Sequence, residues 1–148
     1  MSWIEITTNE DVDRLMEAFG GFRDSCLREV HLWTDHWVRP DLSMYYPSGL
    51  NTRIRVLFQR QASSPSAIEI LFESVTHFNL APTPEHYYPV IFGAKMYIEE
   101  GILYWANEED WSPESASINL HTWISAKMAR WRDVSSWMGE ELRYGAAE

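Results

Sequence analysis

From Thr52 to Arg60 apolar and polar side chains take turns: Ile54, Val56 and Phe58 fall on one side, Arg53, Arg55 and Gln59 on the other, and Leu57 alone breaks the rule. A period of two is what a strand with one dry and one wet face requires. The run Ala62-Ser63-Ser64-Pro65-Ser66 is turn-forming, and beyond it Ile68, Ile70 and Phe72 alternate with Glu69 and Glu73. The two segments are therefore expected to pair as a hairpin, with Arg53 or Arg55 facing Glu69 or Glu73. The apolar phase slips from Phe72 to Val75 and Phe78, which predicts a bulge or a strand end near Ser74.

Residues 90–99 place Val90, Phe92, Ala94, Met96 and Ile98 on one face, and Glu100-Gly101 predicts a tight reversal into a strand at 102–106. Residues 25–38 are rich in β-branched and aromatic side chains and read as one long strand, ended by Pro40 and Pro47-Ser48-Gly49. A last strand is expected at 122–131, with the pattern leaving its inward face open. Residues 107–119, with four acids, a proline and three serines, predict an exposed loop anchored by Trp111.

Two stretches have helical spacing. Val12, Leu15, Met16 and Phe19 form a stripe behind Thr8, a candidate cap, with Asp11 at the capping-box position and Gly20-Gly21 as the stop. In the tail, Val134, Trp137, Met138 and Leu142 predict one or two helical turns interrupted at Gly139. The expected architecture is α+β. It is a single domain over residues 1–148, a mainly antiparallel twisted sheet of about six strands with an N-terminal helix and a short C-terminal helix packed on it.

Composition adds three facts. Eight Trp, 7 Tyr and 6 Phe in 148 residues are more rings than one core hides easily, so a surface aromatic patch is expected. The net charge of −10 opposes binding to nucleic acid or anionic membranes, because the basic residues form no continuous run. A single cysteine, Cys26, excludes an internal disulfide framework and a cysteine zinc cage. The first residues lack the basic start and apolar run of a signal peptide, and no stretch is long and apolar enough to span a membrane. A cytoplasmic protein is the expectation.

Catalytic patterns are missing. Cys26 has His31 and Asp24 nearby in sequence, but a strand separates their faces, so a small buried hydrophobe is the plainer reading. His31, His36, His77, His86 and His121 show no ligand spacing, and neither a metal nor a cofactor is expected. The acid pairs lie in turns and tails, and no phosphate loop or nucleophile elbow is present.

The segment Phe19-Gly20-Gly21-Phe22-Arg23-Asp24-Ser25 resembles the opening of a group of uncharacterised bacterial proteins with a Phe-Gly-x-Phe-x-Asp-Ser motif after a short helix. The likeness extends to 55–61, Phe78-Asn79-Leu80, Tyr104-Trp105-Ala106 and 138–142. The opening is also similar to that of immunity proteins of bacterial polymorphic-toxin systems, small acidic cytoplasmic domains that bind and neutralise a toxin. This chain has Arg23 where those families often have His, and no catalytic residue carries over.

Two principal readings follow. In the first, the chain is a non-enzymatic binding protein, immunity-like or an adaptor, that holds a basic protein partner on an acidic surface bearing Trp33, Trp37, Tyr45 and Tyr46. In the second it is an enzyme or small-ligand binder with a pocket between sheet and helices, lined by His31, His36, Glu73 or His77. A homo-oligomeric subunit is a third possibility, and the sequence leaves the oligomeric state open.

Overall fold

The computed structural model of the protein describes residues 2–115 and 118–145. Part of the loop expected over 107–119, namely Ala116 and Ser117, lies outside the described residues.

Helix α1 (Asn9–Ala18) starts on the predicted cap. The Thr8 hydroxyl accepts the Asp11 amide at 3.1 Å, while the Asp11 carboxylate accepts the amides of Thr7 and Thr8 at 2.9 and 3.1 Å. These bonds to Thr7 and Thr8 hold the Asp11 carboxyl below its usual range. Val12, Leu15 and Phe19 are buried along the expected stripe. Gly20 and Gly21, at φ of 60° and 67°, reverse the chain so that Phe22 also enters the core.

The strands are β1 (Ile4–Ile6), β2 (Ser25–Thr34), β3 (Trp37–Val38), β4 (Met44–Tyr45), β5 (Thr52–Arg60), β6 (Ala67–Asn79), β7 (Lys95–Glu99), β8 (Ile102–Ala106) and β9 (Trp123–Asp133). Seven of them form one antiparallel sheet in the order β2-β5-β6-β9-β8-β7, with β1 pairing to β9; β3 and β4 make a separate two-stranded ribbon. The expected pairing of β5 with β6 forms, and Arg53 reaches Glu73 at 3.6 Å and Arg55 reaches Glu69 at 3.9 Å. Glu100 and Gly101 take φ of 51° and 77° in the tight β7–β8 turn.

One face of the sheet carries Ile54, Val56, Phe58, Ile70 and Phe72 against α1, with Trp105 and Ile124 in the same core. Ser74, at φ 51°, interrupts β6 without ending it and shifts the buried phase from Phe72 to Val75. Opposite it on β9 the buried positions pass from Ile124 and Ala126 to Ala129 and Trp131. That change of phase is why simple alternation leaves the inward face of this strand open.

Three expectations are corrected. The long strand 25–38 stops at Thr34, and the chain turns out of the sheet before β3. The strand expected over 90–99 is regular only from Lys95. Before it, Ile91 bonds to Ser25 and Asp24, and the Ala94 amide donates to the Gly21 carbonyl at 3.0 Å. These bonds tie the approach to β7 to the start of β2, at the opposite edge of the sheet, and turn Phe92 outward, where it is 81% exposed.

The third correction concerns the tail. Residues 134–145 form no helix but an irregular strap across the face of the sheet away from α1. Several of their polar groups bond to the sheet: Gln59 donates to the carbonyls of Trp137 and Gly139, and the Glu29 carboxylate accepts the amides of Arg143 and Tyr144. Beneath the strap lie Val134, Trp137 and Tyr144, packed with Leu57 and Ala67. Leu57 breaks the alternation of β5 because this second small core covers its outward face.

Candidate interaction surface

After Thr34 the chain leaves β2 through a short, well-bonded neck. The Asp35 amide donates to the Asn51 carbonyl at 3.1 Å, the Asp35 carboxylate meets Arg53 at 2.9 Å, and His36 Nδ1 lies 3.0 Å from Asn51 Oδ1. Beyond the neck, Trp37 pairs with Tyr45 and Val38 with Met44. The Arg39 amide donates to the Ser43 carbonyl, and Asp41 accepts both the amide and the hydroxyl of Ser43. Those two bonds hold the Asp41 carboxyl below its usual range. The tip is thus an ordered reversal.

The hairpin presents its rings outward. Trp37 and Tyr45 stack with centroids 4.2 Å apart, and the Arg39 guanidinium sits 5.3 Å from the Tyr45 centroid. Trp37 is 54% exposed and Tyr46 70%, and Val38, Leu42 and Met44 are also exposed. Tyr45 and Trp33 are half-buried. Trp33 stays on β2, beside His31 at a ring distance of 4.9 Å. None of the four aromatics chosen from the sequence belongs to the core, and three of them share the hairpin.

The four residues of the alternative pocket each have separate partners. His31 Nδ1 accepts Arg55 Nε at 3.2 Å on the sheet face under the strap. His36 is in the hairpin neck. Glu73 lies between Arg53 and Arg130, at 3.6 and 3.8 Å. His77 stacks on Trp123 at 4.0 Å, the end of a row of rings running through Trp111 and Tyr104 to Tyr97. Among the described residues no three His, Cys, Asp or Glu side chains gather in a metal-binding group, and Cys26 is half-buried on β2 opposite Gln59.

Two features escaped the sequence reading. Glu69, expected on a wet face, is completely buried; Arg132 Nε and Nη2 each reach its Oε1 at 2.8 Å, and the Tyr144 ring lies 4.2 Å from the Arg55 guanidinium. Burial, with Glu69 alongside, pushes the Tyr144 phenol above its ordinary range. The other feature is a cleft of about 310 Å³ between residues 81–93 and the segments 107–109 and 120–121, with Tyr87, Tyr88 and Phe92 on its walls. Three prolines and an acidic run mark these segments in the sequence, but nothing local shows that they meet.

The exposed aromatic hairpin is the surface best suited to an interaction. Comparisons with family models, curated proteins and solved structures return no match to this chain.

Proposed function

We propose that the chain is a cytoplasmic protein-binding domain, immunity-like or an adaptor, that holds its partner on the β3–β4 hairpin and the neighbouring Trp33. The observation behind the reading is the exposure of an ordered ring stack, Trp37 on Tyr45, on a hairpin outside the core. Exposed apolar side chains clustered this way mark interaction sites in soluble domains. Aromatic rings also contribute large buried area with few rotatable bonds, which suits them to anchor a complex. The similarity of the opening motif to immunity proteins agrees with the same role, and a net charge of −10 favours a basic partner.

The test begins with a partner isolated on the intact chain and then purified. Titration calorimetry with the Trp37→Ala, Tyr46→Ala double variant is expected to show affinity lower by about thirtyfold, as loss of a hot spot does. Hydrogen exchange of the complex is expected to protect 35–50. Unchanged affinity and unprotected hairpin amides overturn the reading. Sizing of the chain alone tests the homo-oligomer.

A further inference from the structure

We infer that the cleft between residues 81–93 and 107–109 is a second binding site, and that it takes an arginine-bearing basic segment of a partner protein. The inference stands apart from the hairpin. Two carboxylates, Glu108 and Glu109, line the cleft, within a stretch (residues 80–122) that has seven acidic residues against the single basic Lys95. Lys95 does little to offset them at the cleft, because its ammonium donates to the Trp111 carbonyl at 2.8 Å and lies over the Tyr97 ring. Glu109 is 3.4 Å from Arg23, whereas among the described residues no cation pairs with Glu108 or Asp110.

The rings are equally unspent. Tyr87, Tyr88 and Phe92 are 72%, 85% and 81% exposed, and Leu120 on the same cleft is 74% exposed. Elsewhere the protein repeatedly lays its own guanidiniums over rings: Arg60 over Phe19, Arg132 over Trp3 and Arg55 over Tyr144, all within 5 Å. Among the described residues none of the three cleft rings has such a cation.

A concave site combining open aromatic faces with a carboxylate that no cation among the described residues pairs, Glu108, suits a planar cation, which stacks on a ring and donates to a carboxylate together. Arginine is the side chain with both properties. A nucleic acid or a second copy of this chain would bring negative charge to an acidic surface. The positions of Glu109 and Gly93 are also tightly matched. The Glu109 side chain occupies the space that a Cβ at residue 93 would need, so the acidic wall packs directly against the aromatic loop.

The experiment is an NMR titration of the intact chain with a blocked peptide of alternating glycine and arginine, and with its lysine counterpart. Saturable shifts are expected at 87–93 and 108–110, with the lysine peptide weaker. Tyr88→Ala and Phe92→Ala, both at exposed rings, should each weaken binding about threefold or more, as loss of a cation–ring contact does. Glu108→Gln should weaken it as well. A Glu10→Gln, Glu17→Gln variant, which removes two charges from α1, should bind like the parent chain. Spectra unchanged away from each substitution show that the variants are folded. Shifts spread over α1 and the hairpin, or ring variants that bind like the parent, overturn the site. Equal binding of the lysine peptide overturns the preference for arginine.

Discussion

Glu69 shows how far a single side chain can depart from its sequence pattern. It alternates like a solvent-facing residue, yet the strap covers it and two arginines compensate its charge. Removing one member of a buried ionic group strands the others, so Glu69→Ala should destabilise the protein by about 3–5 kcal/mol in urea unfolding. Tyr97 gives a second prediction. Burial, reinforced by neighbouring Tyr104, pushes its phenol up to about 12. A group protonated more tightly when folded contributes stability that is complete below its unfolded pKa, about 10, and is lost as pH rises toward 12. Tyr97→Phe should therefore flatten the alkaline fall in stability between these values, measured by denaturant titration at stepped pH. A curve as steep as that of the parent chain would count against the burial of this phenol.

The elements divide into those that hold the core and one that does not. Helix α1 and the strands β5, β6 and β9 meet in the main core, and the strap completes a smaller one over Leu57. The hairpin of β3 and β4 bonds mainly to itself and meets the body at the Asp35 and His36 neck. Replacing residues 36–50 with a two-residue Asn-Gly turn should keep the β2–β5 pairing, because a turn of that kind suits an antiparallel ribbon. Thermal unfolding should then shift by only a few degrees, in the range of about 1 kcal/mol, while affinity for the proposed partner is lost. Collapse of the fold would instead make the hairpin a structural element. The outer edges also differ: Asn9 bonds through its side-chain amide to both the N–H and the C=O of Ile98, which caps the β7 edge as a neighbouring strand would.

At the scale of the whole molecule, the hairpin and the cleft occupy different places, and the chain as a whole carries a net charge of −10. Association with a basic partner should thus be fast at low salt and slow steeply as ions screen the field, which stopped-flow measurements across salt concentrations will show. An association rate indifferent to salt would remove charge from the account of recognition. Much of the architecture was legible in the residues: the α1 cap, the β5–β6 and β7–β8 hairpins and the single main core all follow from local spacing. The aromatic hairpin was legible as a cluster, but not as a projection. Alternation and helical stripes depend on backbone geometry, which each short segment largely determines for itself. Coverage depends on what arrives from far along the chain. Residues 134–145 buried Leu57 and Glu69, the Ile91 and Ala94 bonds expelled Phe92, and the meeting of 81–93 with 107–109 made a cleft, because burial is set by distant neighbours and not by periodicity.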